Sequence, residues 1–221
     1  MTTLYYKNGT CALGPHVVLE WIGAPYEAVP VMIGSELLRE LNPAGAVPVL
    51  KEDDGWILTQ AGAILHYLAS KHPEARLGGG EGLRGAAELD RWSSLLTGDL
   101  HPAFFPVFGP ARYTTDPTDE ARGNVVEAAL TLVRRKLDLF EAHMAGRQWI
   151  LDGASEDGRS VVDAYALPML RWLRLLVTSL AVVMGVGIIA IVALLWLRLG
   201  ERPLPELPPQ AVIDTLAAEA V

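Results

Sequence analysis

The 221-residue sequence predicts an α/β domain, then an all-helical domain, then one membrane-spanning helix. Three observations carry that expectation. Strand-prone and helix-prone runs alternate as βαβαββα over residues 1–77. The apolar period turns helical over residues 81–172. Finally, 23 residues from Leu175 to Leu197 carry no charge.

The elements follow in order. Thr3–Tyr6 is a short β-prone run closed by the turn-forming Lys7-Asn8-Gly9-Thr10. Gly14–Ile22 reads as a helix with Val17, Val18 and Trp21 on an apolar side, and Tyr26–Met32 as a loosely alternating strand. Glu36–Leu41 is a short helix stopped at Asn42-Pro43. Val47–Leu50 and Trp56–Leu58 flank Asp53-Asp54-Gly55, a hairpin signal because glycine takes positive φ. Ala61–Ser70 closes the unit as a helix with Ile64, Leu65 and Leu68 on one side. Gly78-Gly79-Gly80 reads as a linker.

Beyond it, Leu89, Trp92, Leu96 and Leu100 recur every three or four residues, as do Val125, Leu132, Leu137, Phe140 and Met144. Ser160 and Asp163 form a capping box, the serine capping a helix and the carboxylate reaching back to its amide. The expected membrane helix follows at 173–199, built around that uncharged core. At ~1.5 Å per residue its core spans roughly 34 Å, against about 30 Å for a bilayer interior. Thr178 and Ser179 are its only hydroxyl side chains, too few for the polar face of a buried bundle helix. Residues 200–221 are a short Pro-rich tail. No basic segment followed by an apolar one opens the chain, so the body is expected in the cytoplasm behind a single-pass anchor. A soluble cytoplasmic chain with an apolar last helix is the alternative.

Charge and cysteine content exclude several classes. Eighteen basic residues against 26 acidic give −8, carried entirely by residues 1–170, which argues against a nucleic-acid partner. The single cysteine, Cys11, excludes an intramolecular disulfide and any cysteine-cluster metal site; no metal is expected. Cys11 lies between the first strand and first helix, where a helix amino terminus lowers a thiol pKa, although a free cysteine is often simply a small buried apolar group. Gly14 stands where a Cys-x-x-Cys motif would have its second thiol, so no dithiol cycle is available. At Val47-Pro48, an X–Pro bond able to become cis could leave the Val47 backbone open to an extended ligand. Gln60-Ala61 begins a helix whose amides could hold a carboxylate.

Taken together, Leu4–Leu13, Asn42–Leu50 and Leu58–Leu65 resemble the cytosolic glutathione transferase family, and the cysteine-containing first loop resembles its bacterial beta class. The resemblance covers residues 1 to about 172. It implies a thioredoxin-like glutathione-binding domain at 1–77, a helical domain at 81–172 that carries the second-substrate pocket, and a homodimer. It also implies glutathione as co-substrate with a small electrophile as partner. Carried over by residue, Cys11 and His101 would be catalytic, and Val47, Pro48, Gln60 and Ala61 would bind glutathione. Phe105 and Phe108 would line the second-substrate pocket, while Ser160 and Asp163 would be structural.

Departures temper this. The family's usual serine is Ala61 here, and the basic residue expected near Gly34-Ser35 is missing, so weaker glutathione binding is implied. Tyr5 and Tyr6 resemble the catalytic tyrosine of other classes but sit where strand aromatics pack. After Trp172 the family's further amphipathic helices give way to the apolar run, leaving the helical domain truncated, as a natural fusion or a joined reading frame would. This tail resembles small bacterial single-span membrane proteins. The expected activity is conjugation, or thiol exchange through a mixed disulfide on Cys11; the alternative is a non-catalytic, membrane-anchored scaffold or dimerisation module.

Overall fold

In the four-stranded sheet the strand order is β2-β1-β3-β4, with β1 (Thr2–Tyr6) parallel to β2 (Tyr26–Pro30) and antiparallel to β3 (Val49–Lys51), and β3 antiparallel to β4 (Ile57–Thr59). The structure is a computed structural model describing residues 1–151 and 158–184, with side chains as far as 174. Met1–Met169 form one unit and Leu170–Val221 a second.

Alternation along the strands sorts the sheet's two faces. Leu4 and Leu50 are register partners and wholly buried, on the face whose core also holds Val18 and Leu19 of α1 (Leu13–Ile22) and Ile64, Leu65 and Leu68 of α3 (Ala61–Lys71). Their neighbours Tyr5 and Val49 point the other way, into a cluster with Leu38 of α2 (Glu36–Leu41), Val31 and Ile57. Tyr5 is therefore a packing residue, and Tyr6 meets the His16 ring in a tilted contact, 5.1 Å between ring centroids.

Local chemistry explains the boundaries. Gly23 ends α1 with φ +71, its amide donating to the Leu19 carbonyl. The Ser35 hydroxyl caps α2 by accepting from the Leu38 amide. The hairpin turn runs over Glu52–Gly55, where Gly55 has φ +89 and the Asp54 carboxylate accepts from the Trp56 amide. β3 starts later than expected because Pro48 has no N–H to give the ladder, and β2 ends at Pro30, two residues short of Met32.

The helical elements are α4 (Gly82–Ser94), a π-helical stretch Leu95–Leu100, α5 (His101–Ala103), α6 (Phe105–Phe108), α7 (Asp119–Met144) and α8 (Val161–Met184). Leu89, Trp92, Leu96 and Leu100 are all buried as expected. On α7 the expectation fails at Leu132, which is 48% exposed: the buried stripe is Ala129, Val133 and Phe140, one position round the helix. Gly78-Gly79-Gly80 is not a loose tether either. Leu77 is buried with its carbonyl accepting from the Val161 amide, and a Cβ on Gly79 would lie 3.0 Å from Leu151.

The capping box forms with its hydroxyl used as a donor. One Asp163 oxygen accepts from the Ser160 amide at 2.8 Å and hydroxyl at 2.7 Å, and the other accepts from the Ile150 amide at 2.8 Å. The carboxylate thereby ties the start of α8 to the chain leaving α7. Among the described residues no helix is long and apolar enough to cross a membrane. The expected span at 175–197 is described, as helical backbone, only as far as residue 184; its remainder and the tail at 200–221 lie outside the described residues.

Candidate functional site

Register brings three distant segments to one end of the sheet. Because β3 runs against β1 and β4 against β3, the carboxyl end of β1, the amino end of β3 and the carboxyl end of β4 coincide, with Tyr5, Val49 and Thr59 aligned across them. The loops leaving that end carry Cys11, the cis Val47–Pro48 bond, and Gln60-Ala61.

Cys11 is 8% exposed, and its Sγ donates to the Val47 carbonyl at 3.7 Å. The expected drop in its pKa does not occur. Burial pushes the thiol from its ordinary 9.0 to about 11, against weaker opposing pulls from its own backbone and the Tyr165 hydroxyl. The geometry of the turn explains this. Amides that would have faced the sulfur are already taken: Ala12 donates to the Thr10 hydroxyl, Leu13 to the Thr10 carbonyl and Gly14 to the Cys11 carbonyl. With those donors spent, desolvation decides, and Cys11 rests as a thiol.

His101 follows the π-helical stretch, an irregularity that re-aims the residues after it. Its Nδ1 lies 2.8 Å from the Tyr165 hydroxyl, and its ring meets the edge of Phe105 at 4.8 Å. Burial pushes its pKa down to about 4, so the imidazole is neutral at ordinary pH. Tyr165, on α8, is 2% exposed, and its hydroxyl lies near enough to Cys11 to pull the thiol pKa down weakly while meeting His101. Sequence reading passed it over as part of an apolar helix. Gly14, in the first turn of α1, packs closely against it: a Cβ there would sit 2.9 Å from the Tyr165 ring.

Gln60 precedes α3 with φ 73 and ψ 115, a conformation that side-chain-bearing residues avoid, while Ala61 is buried and no side chain caps the helix. The first-turn amides of such a helix have no intrahelical acceptor. Phe105 is half-exposed beside His101. Phe108 stacks on the buried Phe104 at 5.9 Å and is exposed on its outer side. Near Gly34, a guanidinium nitrogen of Arg39, from α2, lies 3.5 Å from where a Gly34 Cβ would be. Among the described residues no group of His, Cys, Asp or Glu is arranged to hold a metal ion.

Residues 15–76 match the family described as glutathione S-transferase, N-terminal domain, and residues 165–220 match a family of unknown function, DUF6476. The chain is 40% identical over 173 residues to glutathione S-transferase GST-4.5 of Xanthomonas campestris pv. campestris, covering 76% of this chain and 81% of that one. A sphingomonad glutathione S-transferase solved in complex with glutathione superposes with a TM-score of 0.70 at 32% identity, over 99% of each chain. The glutathione S-transferase of Xylella fastidiosa superposes with a TM-score of 0.73 at 29% identity, over 92% of this chain and 94% of that one.

Proposed function

The chain belongs to the glutathione S-transferase family, and we propose that its chemistry is run by the Cys11–Tyr165–His101 group at the open end of the sheet. It is a glutathione transferase with glutathione as co-substrate. One observation carries the assignment of the site: a buried thiol, the Val47 backbone beside a cis proline and a neutral imidazole converge there from residues far apart in sequence.

In this reading the tripeptide lies extended along Val47, ahead of Pro48. Its γ-glutamyl carboxylate meets the uncapped first turn of α3 at Gln60 and Ala61, and the Arg39 guanidinium supplies positive charge at the Gly34 loop. The glutathione sulfur sits near Cys11 and His101, whose hydrogen bonds stabilise it as thiolate. The electrophile then packs against the exposed aromatics Phe105, beside the histidine, and Phe108, which stacks on Phe104. Conjugation is favoured over thiol exchange because a Cys11 held as a neutral thiol donates a hydrogen bond more readily than it attacks a disulfide. Ala61, lacking a hydroxyl, weakens the γ-glutamyl contact, and the working unit is a homodimer.

The test is turnover of a generic aryl halide and of a glutathione mixed disulfide by the wild type and by Cys11→Ala, with retention on immobilised glutathione. Conjugation that falls in Cys11→Ala, with little disulfide exchange by the wild type, supports the assignment; disulfide exchange abolished by Cys11→Ala with conjugation intact would assign the cysteine to exchange instead. No retention and no turnover by the wild type would return the chain to a non-catalytic scaffold.

A further inference from the structure

Tyr165 has a chemical role that neither its burial nor its helix requires. A tyrosine on an apolar helix face packs as well as phenylalanine does, so its hydroxyl needs a separate reason to be there. That hydroxyl lies 2.8 Å from Nδ1 of His101, and the Cys11 thiol is the other group whose electrostatics it affects. A neutral imidazole has one N–H and one bare nitrogen, and whichever nitrogen accepts a hydrogen bond leaves the other as the donor.

The direction of the bond follows from competition for one phenol proton. The two groups within reach are an imidazole nitrogen, a strong acceptor, and a thiol sulfur, a weak one. The thiol's own hydrogen is already directed at the Val47 carbonyl. The phenol proton therefore goes to Nδ1.

We propose that Tyr165 is a positioning residue whose hydroxyl donates to His101 Nδ1, holds the imidazole in the Nε2–H tautomer, and so makes Nε2 the nitrogen that donates to the glutathione sulfur. The role of Nε2 rests on the site assignment above; the tautomer does not. Gly14 belongs to the same device, since only a residue without a Cβ lets α1 approach the Tyr165 ring closely enough to keep the hydroxyl in register.

The experiment is ¹⁵N spectroscopy of the full chain labelled at histidine, with His101→Gln identifying the His101 signals among the five histidines. A wild-type His101 with bare Nδ1 and protonated Nε2, becoming a tautomer mixture in Tyr165→Phe, is the expected result. Alongside it, kcat for aryl halide conjugation in Tyr165→Phe should fall about tenfold with KM for glutathione nearly unchanged, as when an orienting partner of a functional histidine is removed. A wild-type His101 protonated at Nδ1, or a Tyr165→Phe variant that keeps both tautomer and kcat, overturns the proposal. Glutathione that leaves the Nε2 signal unmoved in a correctly tautomerised wild type overturns the site assignment instead, and with it the donor role of Nε2.

Discussion

Cys11 offers the most direct test of the electrostatics, because it is the chain's single cysteine and every alkylation event reports on it. Burial places its pKa at about 11 instead of the ordinary 9.0. At pH 7.5 the thiolate is then roughly 3 in 10,000 of the population, some 100-fold less than for an unperturbed thiol. Reaction with iodoacetamide, followed by intact mass across pH 7–11.5, should rise steadily and show no plateau below pH 10. The same chain in urea should pass its midpoint near pH 9 and level off above pH 10. Using the shape of the profile removes the separate effect of poor access to a side chain only 8% exposed. The linkage has a definite sign. The folded thiol keeps its proton to about 11 while the unfolded one loses it from 9.0, so the contribution to stability is intact below pH 9 and is lost between pH 9 and 11. It amounts to about 3 kcal/mol in the difference between wild type and Cys11→Ala. A folded-state profile with its midpoint at or below pH 9 would refute the argument that desolvation outweighs the turn's donors.

Three other outcomes are expected. Replacing Asp163 with alanine strands the buried amides of Ser160 and Ile150, at a cost of about 3 kcal/mol, or roughly 10 °C in Tm by calorimetry; an unchanged Tm would remove the anchoring role. Gly14→Ala forces a Cβ to 2.9 Å from the Tyr165 ring, so chemical denaturation should show a loss of about 1–3 kcal/mol together with reduced turnover. The uncharged run Leu175–Leu197 predicts that the full chain pellets with membranes through carbonate washing; recovery in the supernatant would dismiss the anchor.

Much of the α/β unit is legible in the sequence. Alternation, turn residues and the glycine hairpin each mark a local event, and local events are what a linear pattern records. The corrections arose where a decision depended on distant neighbours. Leu132 looked buried by period, yet the face of α7 that is covered is the one carrying Val133. Gly78–Gly80 looked flexible by composition, yet Leu77 is pinned by Val161, 84 positions away. Cys11 was placed correctly at its turn, but its ionisation was misread because the amides around it had been spent on Thr10.

Residue identity and order, then, settled where the strands end and which side chains could do chemistry, since propensity and turn geometry act over a few positions. Only tertiary packing chose among them. It set a thiol in a dry niche, laid Arg39 near Gly34, and brought Tyr165 across 64 positions to His101. Desolvation and hydrogen-bond competition depend on what surrounds an atom in space, and no reading along the chain contains that information.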